Sequence, residues 1–302
     1  MFMVDTFGHN FSDVIMEKTE LLFKNKLLET FAAFDSFCKT HHIQYFAAYG
    51  TLIGAVRHHG LIPWDDDIDV WMLPSDYEKF RSYRGQVEGH YDIMDDRDEN
   101  YWLLSLAKFV DTDTTLWETE HFPCVTGVYI DIFKLDFCDA QKAVALRKAY
   151  DDSSYRLTYA MMQHTGGQFI QLLKQGQFRQ FFNYLKDTFY HRPHYKKYLK
   201  AYNDCLEDIQ HASGEALVSF DGLYREKEVF QKDWFKDVIQ MSFEDLDIMV
   251  PNGYHEILTQ LYGDYMKVPP VEKQVSHHNH YFLDLTRRWT IGEIRDYKKC
   301  HN

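Results

Sequence analysis

Trp64-Asp65-Asp66-Asp67-Ile68-Asp69-Val70 sets four carboxylates within five positions. Such crowding is costly unless positive charge sits among the acids. Successive side chains on a strand point to opposite faces. Asp67 and Asp69 are therefore expected on one face, with Ile68, Val70 and Met72 on the other. Two oxygen ligands side by side on a rigid strand suit a hard cation, and Mg²⁺ held this way usually also contacts substrate phosphates. A solvated acidic turn is the alternative. Against it, the cluster follows Pro63-Trp64, runs into an apolar strand and lies just after a Gly50-to-Gly60 segment that reads as turn, helix, turn. An EF-hand loop matches Asp65, Asp67 and Asp69 but fails at Val70, where glycine is needed, and at Asp76, where glutamate is needed.

Working outward, the pattern predicts a helix over Ser12–His41, with Leu21, Leu22, Leu28, Phe31 and Phe34 at helical spacing. Strands follow at Gln44–Tyr49, Ile68–Leu73, Tyr91–Met94 and Trp102–Val110, with helices at Leu52–His58 and Asp76–Tyr83. In Gly127–Phe133, Val128, Ile130 and Ile132 alternate with Tyr129, Asp131 and Phe133. A buried unpaired Asp131 would cost several kcal/mol, so it is expected to face a metal or a cation, unless it lies on an exposed strand edge. Residues 139–213 read as helical, and a further helix ends at Leu261. With no internal repeat and no linker, residues 1–302 are expected to form a single compact α+β body. Its sheet core spans about 42–137, and a largely helical, acceptor-side part spans about 138–302.

Composition narrows the function. The chain has 302 residues, 45% hydrophobic and 17% aromatic, enough for a sizeable core and contrary to disorder. A net charge of −13 argues against nucleic acid as a partner. Five scattered cysteines without a CxxC pair suggest neither a disulfide framework nor structural zinc, and a reducing cytosol is the expectation. The N-terminus lacks the pattern of a secretory signal. Residues 174–200 run against the overall acidity, with seven Lys or Arg against Asp187. Phe178, Phe181, Phe182, Leu185 and Phe189 form an apolar stripe there. A basic amphipathic helix can lie on an anionic membrane, although such a stripe is more often a core face.

A Gly-Thr turn, an Asp-x-Asp strand and a later strand Asp form the layout of a nucleotidyltransferase-type site. The turn can hold a phosphate. Phosphoryl transfer needs positioning and charge neutralisation more than covalent chemistry.

The run YGTLIGAVRHHGLIPWDDDIDVWM (49–72) resembles the signature of the LicD family of phosphotransferases, related to the fukutin-related proteins. LAKFVDTDTT (106–115), GVYIDIFKLD (127–136) and VPNGYHEILTQLYGDYMKVPP (250–270) fit it in the expected order. The resemblance implies a nucleotidyltransferase-like mixed sheet flanked by helices. It implies transfer of phosphocholine or a polyol phosphate from a CDP-linked alcohol to a glycan hydroxyl, with loss of CMP. It also places the metal-holding catalytic acids at Asp67, Asp69 and Asp131, with Mg²⁺ or Mn²⁺, and Asp65 and Asp66 in support. Gly50 and Thr51 match its phosphate turn. Arg57, Lys108, His277 and His278 are further candidates for phosphate or acceptor contacts, each with an ordinary structural alternative.

The animal relatives' cysteine-bearing and membrane-anchor segments are not seen here. That suggests a bacterial-type enzyme at the cytoplasmic face with a lipid-linked glycan acceptor. Residues 174–200 would then supply peripheral membrane contact. Competing readings are a nucleotidyltransferase that releases pyrophosphate and a non-catalytic glycan-binding relative. A choline donor would call for an aromatic cage; Trp71, Trp102, Trp117 and Tyr129 are available, and the sequence leaves the transferred alcohol open.

Overall fold

A computed structural model describes residues 11–98, 106–276 and 280–301, with side chains from residue 18 onward. Phe23, Leu27, Phe31 and Phe34 recur every three or four residues and are all buried, making one face of helix α1 (Phe11–Thr40) the lid of the main core. Then come β1 (Phe46–Ala47), α2 (Tyr49–Ile53), a wider π turn (Gly54–His58), β2 (Asp69–Met72) and α3 (Pro74–Ser82). Pro74 opens α3, where its missing N–H has no helical partner to lose. Next are β3 (Tyr91–Met94), β4 (Ala107–Asp111), β5 (Thr115–Trp117) and β6 (Tyr129–Cys138). Helices α4 (Ala140–Met161), α5 (Gly166–Lys174), α6 (Phe178–Lys186) and α7 (Tyr195–His211) follow. The chain closes with β7 (Ala216–Ser219), β8 (Val229–Gln231), β9 (Val238–Phe243), β10 (Leu246–Pro251), α8 (Tyr254–Tyr262), β11 (Phe282–Asp284) and α9 (Ile291–His301).

The ten-residue β6 organises the central sheet. Its first half runs parallel to β2 and antiparallel to β4, and its second half pairs antiparallel with β7. The path is β1-β2-β6-β4-β3, with β7 and β8 continuing from the far half of β6. All four residues of β2 are buried, so the two-faced alternation expected there gives way to a strand covered on both sides. Trp71 meets the rings of Tyr49, Phe230 and Phe235 at 4.8, 5.5 and 5.9 Å.

A second apolar cluster joins α4 and α7 to β7 through Tyr150, Leu157, Tyr202, Ile209 and Val218. The α+β class stands, and the helical run ends at His211. Beyond it, β7 and β8 return to the central sheet and β9–β10 form a hairpin, none of which the sequence pattern revealed. These strands are three to six residues long, too short for a clear period. The strand expected at Trp102–Val110 is Ala107–Asp111 among the described residues; 102–105 lie outside them.

Candidate active site

Three strands bring Asp69, Asp131 and Lys108 into one row. Asp69 on β2 is directly opposite Asp131 on β6, and Asp131 is directly opposite Lys108 on β4. Like charges opposed across strands destabilise a sheet, so the row needs positive charge. Lys108 supplies one: its Nζ donates to Asp131 Oδ1 at 2.7 Å and lies 3.5 Å from Glu118. The ammonium also sits 3.1 Å from the centre of the Tyr129 ring, whose hydroxyl donates to Glu118 at 2.6 Å. Lys108 is only 1% exposed. Lys108 is therefore not the ordinary exposed lysine of an edge strand, because β4 is covered on both sides.

One cation does not balance this site. Burial pushes the Asp69 carboxyl well above the usual range, and Asp67, Asp131 and Asp65 push the same way. Burial also raises Asp131, outweighing Lys108, with Glu118 and Asp67 adding to the rise. Asp65, Asp67, Asp69 and Asp131 thus act on one space. The carboxylate oxygens of Asp65, Asp66 and Asp67 lie within 4.8 Å of one another, and this is the one such trio of acid, histidine or cysteine side chains among the described residues. Asp69 and Asp131 border that trio without joining it. The donor set is all oxygen and acidic, which fits Mg²⁺ or Mn²⁺ rather than zinc.

The turn before β2 is held against these acids. Tyr49 takes the left-handed backbone region at φ 42°, a conformation uncommon for a bulky residue and often found at functional sites. It starts α2 three residues earlier than the sequence suggests, so Gly50 and Thr51 sit in the helix rather than before it. A Cβ at Gly50 would fall 2.4 Å from Asp65 Oδ2, so glycine lets the helix approach the acidic loop. Thr51 Oγ1 accepts the Asp69 N–H at 2.8 Å, and Ala48 N–H donates to Asp69 O at 2.9 Å. Thr51 thereby fixes the entry of β2 and the position of Asp69.

Arg57 faces elsewhere. Its guanidinium donates to the carbonyls of Tyr265 at 2.6 Å and Lys267 at 3.4 Å, and its Nε to His58 Nε2 at 2.9 Å. Burial and the neighbouring Arg57 push the His58 pKa down, favouring the neutral ring that can accept this bond. Arg57 thus fastens the segment after α8 beside the site, and further along Ser276 donates to Asp66. His277 and His278 lie outside the described residues.

Several neighbours escaped the sequence reading. Tyr129 shares the Asp131 face two residues earlier on β6, a signal that was available. Glu118 and Glu228 gave none. Glu228, fully buried, accepts from the Tyr49 hydroxyl at 2.7 Å and from the Tyr224 N–H. Tyr224 and Tyr262 meet at 4.9 Å; burial raises the pKa of both phenols, and the charge of Asp69 adds a smaller push the same way. Of the aromatics named for a cage, Trp71, Trp117 and Tyr129 are buried and the Tyr129 face carries Lys108; Trp102 lies outside the described residues.

Residues 42–167 match the family model described as LicD/FKTN/FKRP, nucleotidyltransferase domain. Over 247 residues the chain is 30% identical to the lipopolysaccharide cholinephosphotransferase LicD of Haemophilus influenzae, covering 81% of this chain and 90% of that protein. The chain belongs to the LicD family of phosphotransferases. Two uncharacterised Rickettsia proteins share shorter stretches. One from Rickettsia typhi is 46% identical over 48 residues, 16% of either chain. One from Rickettsia prowazekii is 50% identical over 36 residues, 12% of this chain and 14% of its own. The LicD family match spans β1 to the start of α5, so the whole Asp69–Asp131–Lys108 row falls within it.

Proposed function

We propose that this LicD-family chain transfers phosphocholine from CDP-choline to a sugar hydroxyl of a lipopolysaccharide precursor at the inner face of the membrane. The similarity to a lipopolysaccharide cholinephosphotransferase over 90% of that protein carries the reading. The buried acidic row supports it, because it provides the strong negative field that a divalent cation and a diphosphate together can occupy.

Asp67, Asp69 and Asp131 would hold Mg²⁺ or Mn²⁺, with Asp65 and Asp66 in support. A cation there would offset the diphosphate charge and the charge developing on the departing CMP. The acceptor oxygen bonds to the distal phosphorus, the bond from that phosphorus to the bridging oxygen breaks, and CMP leaves with that oxygen. The hydroxyl proton passes to a carboxylate or to water. Lys108 holds Asp131 in place, Thr51 holds Asp69, and Gly50 keeps the first turn of α2 against the acids.

The test supplies CDP-choline, CDP-glycerol and CDP-ribitol with Mg²⁺ and a lipid-linked acceptor, and measures CMP. CMP release with CDP-choline is expected. D67N and D69N, each with its fold checked by circular dichroism, are expected to lose about a hundredfold or more. Release of pyrophosphate from a nucleoside triphosphate instead would assign nucleotidyl transfer. Near-normal turnover in either variant would sink the metal-site assignment, and a preference for CDP-glycerol or CDP-ribitol would overturn choline.

A further inference from the structure

We propose that the outer face of the α5–α6 hairpin docks the enzyme on an anionic lipid bilayer. Of the large apolar side chains exposed on the molecule, Ile170, Leu173, Phe178, Phe182, Phe189 and Tyr190 fall within one short stretch. Phe178, Phe182 and Phe189 are 58%, 63% and 73% exposed, and α6 buries none of its own residues. Phe178 and Phe182 are one turn apart on α6, and Phe189 lies just beyond it in the wider helical turn of Asp187–His191. The stripe is thus divided: Phe181 and Leu185 are half-buried, with the Phe181 ring 5.7 Å from Phe169, while Phe178, Phe182 and Phe189 face solvent, so the core-face expectation holds for only part of it.

The opposite side of the hairpin is the attached one. Tyr184 and the His121 ring share a hydrogen bond of 2.9 Å, and the His164 ring stacks on Tyr184 at 3.8 Å. His164 Nε2 lies 3.1 Å from Asp187, the single acid among seven Lys and Arg between 174 and 200. Asp187 is buried, so the basic side chains dominate the charge that this stretch shows to solvent, on a chain of net charge −13.

Two chemistries could cover such a face, and its composition chooses between them. Protein interfaces are depleted in lysine. Aromatic rings edged by Lys and Arg are the mark of a helix lying in the headgroup region of an anionic membrane. Lys174, Arg179 and Lys186 are exposed beside the apolar ridge. No helix among the described residues is long and apolar enough to cross a membrane, so contact through these helices is peripheral.

The face is also joined to the acidic row. Glu118, beside Lys108, is three residues from His121, which bonds to Tyr184 on the underside of α6. Docking through α5–α6 would bring the row close to lipid headgroups, where a lipid-linked acceptor resides. That use rests on the transferase reading; the docking itself does not.

The test sediments the full chain with phosphatidylcholine vesicles, with and without phosphatidylglycerol, without any turnover. Binding to the phosphatidylglycerol vesicles that weakens with added salt is expected. K174E/R179E/K186E is expected to bind about a hundredfold more weakly. F178S/F182S/F189S is expected to lose binding while keeping its circular dichroism spectrum and its CMP release with a soluble acceptor, since Phe178, Phe182 and Phe189 are all exposed. Equal binding to neutral vesicles, or unchanged binding by the phenylalanine variant, would overturn the proposal. So would a parent chain that ignores vesicles and self-associates through these phenylalanines, which would assign the face to a second copy.

Discussion

Lys108 and Asp131 face each other across adjacent strands, and the 2.7 Å bond between them is buried beneath the Tyr129 ring. Removing one partner of a buried pair leaves an uncompensated charge, which typically costs about 3–5 kcal/mol. K108M is expected to destabilise the fold by that order. K108M/D131N, with neither charge, should recover most of the loss while remaining inactive. Urea denaturation of the four members of the cycle measures the coupling. Additive single losses would show that the pair does not hold the row.

The row was legible for a simple reason. Asp69 and Asp131 are charges on strands, and a charge amid Ile, Val and Phe stands out without any knowledge of pairing; Asp67, expected on the same strand as Asp69, lies in the loop just before it. Lys108 was named but read as open to phosphate or solvent, because nothing local to Ala107-Lys108-Phe109 says that both faces of β4 are covered. Glu228 sits in Arg225-Glu226-Lys227-Glu228, which looks like a solvated turn, and its burial comes from Tyr49 more than 170 positions earlier. Likewise the short strands β7 and β8 are fixed by their pairing to β6 and to each other, which no local period records. The sequence pattern spoke where the signal was local and charged, and was silent where distant packing decided.

Gly50 makes a sharp test of the turn. An alanine Cβ would meet Asp65 Oδ2 at 2.4 Å, so the carboxylate must move. The clash is with the end of a side chain rather than with backbone, and Gly50 has no left-handed φ, so G50A is expected to fold normally. Its kcat should fall by about tenfold or more, because displacements near 1 Å can cost that much in a preorganised site. A variant that keeps full activity would remove Asp65 from the working set.

Arg57 holds the segment after α8 through two carbonyls rather than reaching the acids by any contact seen here. R57A should leave the global melting temperature within a few degrees, since it removes bonds to two carbonyls of one segment and no core side chain. It should expose 263–276 to limited proteolysis and raise the KM for donor or acceptor more than it lowers kcat. R57K is expected to restore little, because an ammonium that reaches the carbonyls has no second nitrogen to donate to His58 as Nε does. A selective loss of kcat with unchanged proteolysis would instead give Arg57 a direct role in the reaction.

Glu228 links the Tyr49 turn to the helical half, since Tyr49 donates to it while Arg147 of α4 donates to the carbonyls of Ser219 and Gly222 nearby. Burial pushes the Glu228 carboxyl up to about 7. In the unfolded chain it titrates near 4.3. Between those values the folded protein holds a proton that the unfolded chain has released, so folding stability falls as pH rises through this window. The whole effect is at most about 4 kcal/mol. E228Q resembles the protonated form: its amide oxygen can still accept, and the Tyr49 hydroxyl can turn to Ser219 Oγ, 3.2 Å away. E228Q is therefore expected to flatten the stability profile between pH 5 and about 7.5 and to gain on the parent at the upper end. E228A removes the acceptor of a buried hydroxyl and should lose about 1–3 kcal/mol at every pH. Urea midpoints at three pH values decide the matter: a parent whose stability rises across the window would show that Glu228 is ionised in the fold and that the Tyr49 bond is charge-assisted.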